Sequence, residues 1–212
     1  MLSIRRLAVV VALLFGVFVS NAIAQAMFPQ PFTADMSMKT KNGQDMTGKF
    51  YVGEHKMRMD MDAHGHQVSM ITDPGAKTSY MVMHQQKMYM EMHAGQNPMM
   101  MQRGPKMPDL HTFDPTNPCA NNPDVTCKNE GSDTVNGRSA DKWVFTDKKN
   151  GEVTTAWIDK KLHFPVRTTT SDGTEMNLTN VQEGAPPSST FEIPAGYRKF
   201  DMGGMMGRMP QQ

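Results

Sequence analysis

Apolar residues return at every second position through most of the chain from residue 32 onward, a period that suits strands with one buried face and leaves little room for amphipathic helices. The clearest stretch is 56–63, where Met57, Met59, Met61 and Ala63 alternate with Lys56, Arg58, Asp60 and Asp62. A slip of one residue would bury four charges, so this register is strongly specified. The same alternation predicts strands over 32–39, 46–52, 67–72, 87–93, 125–130, 141–146, 152–159, 162–170 and 174–181. Residues 79–84 read as a strand apolar on both sides, and 190–193 as a last short one. Asn42-Gly43, Gly65, Asn136-Gly137, Asn150-Gly151 and Asp172-Gly173 mark hairpin turns, and Asp73-Pro74-Gly75 a reversal with Pro74 and Gly75 central. Links this short, with no helix between, force antiparallel neighbours. The expected fold is mainly β: one large curved antiparallel sheet, closed or half open, with few short helices. The charged face that carries Asp60 and Asp62 is expected in solvent.

Residues 94–124 interrupt the pattern. Gly95, Pro98, Gly104, Pro105, Pro108, Pro115, Pro118 and Pro123 forbid a long helix or a central strand, leaving room for one helical turn over 99–102. This Pro-rich excursion is expected to lie over the sheet. The only cysteines are Cys119, near its end, and Cys127, eight positions on, and in an oxidising compartment they are expected to form a disulfide that closes it. Such a bridge pins one loop, contributing ~2 kcal/mol on the loop-entropy account. The Gly, Met and Pro tail over 201–212 is expected to be disordered.

The start of the chain explains why the compartment should be oxidising. Arg5 and Arg6 precede an apolar run over 7–19, and Ala22-Ile23-Ala24 follows as a small-residue exit, the pattern of a secretory signal peptide cut after Ala24. The run is too short to span a bilayer as a helix, and no later segment is long enough. The expectation is a soluble periplasmic or secreted protein with one β domain over 25–200. No cysteine stands at the cut to take a lipid. Loss of Arg5 and Arg6 leaves 20 basic against 21 acidic side chains, so there is no field for nucleic acid. A monomer is expected.

Enzyme chemistry finds no support: there is no GxSxG, HExxH, phosphate loop or GxGxxG, so no catalytic residue or cofactor is expected. His64 and His66 flank a glycine turn near Asp60 and Asp62, and exposure explains them better than a metal does. Methionine is the abnormal feature, at 23 of 212 residues. It forms strands poorly and packs loosely, so a face built of it adapts to varied apolar shapes. The candidate ligand face comprises Phe32, Met36, Met38, Met46, Phe50, Met57, Met59, Met61, Met70, Met88, Met90, Met92, Trp143 and Phe145. An alternative uses the sulfur: thioethers select Cu(I) and Ag(I), and Met99, Met100, Met101, Met107, Met202, Met205, Met206 and Met209, with His93 and His111, could wrap such an ion.

Three stretches carry a resemblance. Residues 131–143, ending Gly137-Arg138-Ser139-Ala140-Asp141-Lys142-Trp143, then Ala156-Trp157-Ile158-Asp159 through Phe164-Pro165-Val166-Arg167, then Phe191-Glu192-Ile193-Pro194-Ala195-Gly196-Tyr197, resemble the second half of the periplasmic lipoprotein-carrier superfamily, LolA-like and LolB-like, and above all its members of unknown function. Lys56-Met57-Arg58-Met59 and the strand ending at Asp73-Pro74 resemble its first half more loosely. The resemblance implies a half-open antiparallel barrel whose concave apolar face takes acyl chains under a helical lid. Two features depart from it: residues 25–31 leave no room for the leading helix, and the lining is methionine in place of branched aliphatics and aromatics. The leading expectation is a non-enzymatic periplasmic binding protein whose concave face holds a lipid, a lipoprotein acyl chain or an apolar segment of an envelope protein. A Cu(I)- or Ag(I)-binding methionine-rich protein and an accessory interaction domain of an envelope stress or assembly complex are the alternatives.

Overall fold

The computed structural model describes residues 30–43, 45–63, 65–93, 117–120 and 122–200. Its strands are β1 (Phe32–Lys39), β2 (Asp45–Val52), β3 (Met57–Ala63), β4 (His66–Asp73), β5 (Thr78–Met83), β6 (Met88–His93), β7 (Val125–Val135), β8 (Arg138–Asp147), β9 (Val153–Asp159), β10 (Pro165–Thr170), β11 (Glu175–Glu183) and β12 (Arg198–Lys199). All twelve join one sheet in the order β12-β6-β5-β4-β3-β2-β1-β11-β10-β9-β8-β7. Two meanders, β1 to β6 and β7 to β11, are sewn together by the β1–β11 pair. The result is a large, curved sheet as the alternation predicts, open where the alternation allowed a closed or a half-open form, and antiparallel throughout except where β12 runs parallel to β6.

The turn chemistry sets the hairpins. Asn136 and Gly137 both have positive φ, at 51° and 77°, which matches a two-residue link between right-twisted strands. At the β4–β5 reversal the bond runs from the Lys77 N–H to the Pro74 carbonyl at 2.9 Å, so Pro74 takes the first position of the turn and Gly75 and Ala76 the central ones. Asp73 fixes this turn by accepting from the Ala76 N–H at 2.9 Å. The strand expected over 125–130 continues to Val135 because a bulge between Asn129 and Ser132 admits Gly131 at φ 96°. The disulfide joins Cys119 to Cys127, with Cα atoms 5.9 Å apart, and ties the 117–120 turn to β7.

Two expected strands are corrected. Residues 162–164 belong to the β9–β10 link, not to β10, because the Asp159 carboxylate draws the backbone N–H groups of Lys161 and Leu162 into a turn, at 2.8 and 2.7 Å, and His163 takes φ 53°. Residues 190–193 are not a strand: Ser188–Phe191 is a 3-10 turn held by Thr190 N–H to Pro187 carbonyl and Glu192 N–H to Ser189 carbonyl bonds of 2.9 and 3.2 Å. The last strand comes later, at β12, where the N–H groups of Arg198 and Phe200 bond the Lys87 and Tyr89 carbonyls at 3.0 and 2.7 Å. The signal segment over 1–24, most of the Pro-rich excursion and the tail over 201–212 lie outside the described residues.

The core gathers where the two meanders meet. The β9–β10 link carries Leu162 and Phe164 inward, and the Phe164 ring lies 5.5 Å from both Phe32 and Phe50. Ala34, Met36, Val52, Met57, Val135, Ala140, Trp157, Val166 and Leu178 complete this buried cluster. Gly48 matters to its edge. A Cβ there would stand 1.8 Å from the Asp60 carbonyl oxygen, so the side-chain-free position lets β2 and β3 approach. Gly48→Ala is expected to destabilise by about 1–3 kcal/mol through strand displacement. Chemical denaturation reads this; an unchanged midpoint would show that the strands separate without cost.

Candidate functional site

Strand register places every described member of the candidate ligand face on one side of the sheet. One row reads Phe50, Met59, Met70, Met81 and Met90 across β2 to β6. A second reads Gly48, Met61, Val68, Met83 and Met88, and a third Val52, Met57, Thr72, Ser79 and Met92. Phe32, Met36, Met38 and Met46 extend the face through β1 and β2, and Met176, Thr168, Ala156 and Trp143 carry it to β8, with Phe145 beside them. Met81 and Met83 escape a reading of the sequence because Tyr80 and Val82, in the opposite phase of β5, are apolar too. The usable signal is the pairing of β5 with β4 and β6, whose methionines set the phase.

This face is unevenly closed. Phe32, Phe50 and Val52 are sealed beneath Phe164, whereas Met59, Met61, Met70, Met81, Met83, Met88 and Met92 are half-buried. The methionine lane of β3 to β6 is thus the accessible part of a face whose other part is core. Trp143, at the far end, has a buried indole N–H with no hydrogen-bond partner.

The opposite face corrects in part the expectation of a solvated charged surface: Asp62 stays exposed, whereas Asp60 does not. Asp60 is half-buried: its Oδ1 accepts from Arg58 Nε and Ser69 Oγ, each at 2.6 Å, and Arg58 Nη2 also reaches Ser69 at 3.1 Å. Ser69 is 1% exposed, and its hydroxyl lies 2.7 Å from His84 Nε2, while His84 Nδ1 meets the Tyr197 hydroxyl at 2.9 Å. The reason is the C-terminal segment. Residues 188–200 cross this face, where Arg58 Nη1 donates to the Thr190 carbonyl at 2.9 Å and Lys199 bonds Glu91. That Lys199 contact is the first cause of a Glu91 carboxyl held below its ordinary range. Ile71 and Val82 are buried on this side as a result. A cavity of about 330 Å³ opens at the network, lined by Arg58, Asp60, Ser69 and His84 together with Thr47 and Gln67 among others.

Among the described residues no three His, Cys, Asp or Glu side chains come together to hold a metal ion, and His66 stands exposed at its turn. Met99, Met100, Met101, Met107, Met202, Met205, Met206, Met209, His64 and His111 lie outside the described residues. No described helix is long and apolar enough to cross a membrane.

No protein-family model matches the chain, and no curated protein matches it by sequence. Solved structures do match by shape. An uncharacterized conserved protein from Thermus thermophilus aligns with a TM-score of 0.54 at 10% identity, over 80% of this chain and 89% of that one. The Pseudomonas aeruginosa MucA/MucB complex aligns with a TM-score of 0.52 at 15% identity, over 80% of this chain and 58% of the matched one. This chain shares the fold of these two structures. It has the large, curved, half-open antiparallel sheet that the resemblance implied. A LolA superfamily protein from Nitrosomonas europaea also matches over 77% of this chain and 89% of its own, at 7% identity and a TM-score of 0.36, too low to add to the argument. Where the resemblance implies a helical lid, the described residues carry only the 3-10 turn, and it lies over the other face.

Proposed function

We propose that the protein is a non-enzymatic periplasmic binding protein whose methionine lane holds an acyl chain or an extended apolar segment of an envelope protein. The observation that carries this reading is the uneven closure of one face: the β9–β10 link seals Phe32 and Phe50, while seven methionines of β3 to β6 stay half-buried. Apolar surface of that extent in water favours an occupant, and methionine lets the lane fit chains of varied shape. The MucA/MucB complex supports this reading, since a protein of similar fold there has a protein partner.

Export by the 1–24 signal, a β domain over 25–200 and the monomeric state belong to this reading. Full-length protein made in a bacterial envelope and measured by native mass spectrometry is expected to carry lipid adducts and to take up a fluorescent fatty acid. Met70→Glu, which puts a charge in the middle of the lane, is expected to abolish both. A clean apoprotein mass with no fatty-acid uptake would sink the acyl-chain form of the proposal, and a bound peptide in the same spectrum would support the protein-segment form.

A further inference from the structure

The methionine lane has a second property that does not depend on its shape: it is an array of thioether donors. Met59, Met70, Met81 and Met90 stand opposite one another on four neighbouring strands, and Met83 and Met88 form a directly opposed pair in the adjoining row. Opposed side chains on neighbouring strands have Cβ atoms about 4.5–5.5 Å apart. The unbranched, freely rotating methionine side chain then lets adjacent sulfurs converge on a common point. Met59, Met70 and Met81 are half-buried, so an ion can reach them from solvent.

The electrostatic setting narrows the ion. In the three rows across β2 to β6 no position carries a charge, because Arg58, Asp60, Asp62 and Lys49 all project to the other face. The two hydroxyls in these rows, Thr72 and Ser79, lie 3.2 Å apart and bond each other. A neutral, soft donor set in apolar surroundings leaves a divalent cation uncompensated and offers no hard oxygen for magnesium or calcium. Cu(I) and Ag(I), monovalent and soft, are the ions such a set selects. Where this face is sealed, Met36, Met38 and Met57 are packed beside Phe32, Phe50, Val52 and Leu178; the half-buried row differs from them in that its thioethers stand opposed on neighbouring strands and open to solvent.

We infer that Met59, Met70 and Met81, with Met90 at the margin, form a binding site for a soft monovalent cation, Cu(I) or Ag(I), on the rigid sheet. The inference rests on the sulfurs, whereas the proposed carrier role rests on an apolar, adaptable surface, so metal titration and fatty-acid uptake test the two separately.

The test is Ag(I) titration of the full-length protein by calorimetry in chloride-free buffer. Wild type is expected to bind one ion tightly, and the triple variant M59L/M70L/M81L to bind it about tenfold or more weakly. A companion variant with leucine at Met99, Met100, Met101, Met107, Met205 and Met206 is expected to keep the wild-type affinity. Carbon-13 methyl spectra of the wild type provide a readout that does not require the triple variant to fold: the ε-methyl signals of Met59, Met70 and Met81 are expected to shift together with the first equivalent of Ag(I). Absence of binding, wild-type affinity in the triple variant, or a first equivalent that shifts other methionines alone would each overturn the inference.

Discussion

Arg138→Met is expected to lower the unfolding free energy by about 3–5 kcal/mol, because it leaves a buried carboxylate without its cation. Asp159, at the end of β9, is 1% exposed. Its Oδ2 accepts from Arg138 Nε at 2.5 Å, and its Oδ1 accepts from Arg138 Nη2 at 3.3 Å and from the backbone N–H groups of Lys161 and Leu162. Burial pushes the Asp159 carboxyl up, but Arg138 and these two N–H groups outweigh it and hold the carboxyl below its ordinary value. A depressed folded-state value means that the pair's contribution is complete above the unfolded carboxyl value of about 3.9 and is lost as pH falls through the folded one. Thermal melts should therefore show wild type and Arg138→Met furthest apart at neutral pH, by on the order of 10 °C, and converging toward strong acid. In the double variant Arg138→Met/Asp159→Asn the two losses should not add, since the second change removes the charge the first one stranded. Additive losses, or a gap that persists unchanged in acid, would show that the pair is not the unit holding this turn.

That pair also shows where local sequence patterns stop being informative. The alternation at 56–63 is enough to give strand, register and face for Met57, Met59 and Met61, because a period of two fixes which side each residue takes. Glycine turns then place the neighbours, and the face follows without any knowledge of distant contacts. Leu162 and Phe164 escape because a strand pattern and a tight link of apolar residues look alike locally; what decides is Asp159, whose partner Arg138 is 21 positions away. The charged face of β3 reads as wet for a similar reason. Its cover comes from residues 188–200, more than 100 positions later, and the link is a set of bonds from Arg58 and His84 that no local pattern announces. Met81 and Met83 are hidden by the apolar Tyr80 and Val82, which face that same cover. The sequence thus yields the composition of the lane but not its closure, and closure is what distinguishes a binding face from a core.

Phe164→Ala tests closure directly. The Phe164 ring is 6% exposed and packs against Phe32 at 64° and Phe50 at 40°, with both centroids 5.5 Å away. Truncating a buried phenylalanine costs about 3–5 kcal/mol through lost transfer energy and the cavity left behind. The β9–β10 link should keep its course, because Asp159 and Arg138 hold its backbone and Leu162 remains buried beside it. The cavity would then open beside Phe50, in the same row as Met59, so the sealed end would become continuous with the methionine lane. Two results are expected together: a lower denaturation midpoint with an unchanged slope, and uptake of longer fatty acids than wild type accepts. The first without the second would mean that occupants do not lie along the Phe50 to Met90 row. An unchanged midpoint would mean that the three rings are not the plug that separates core from lane.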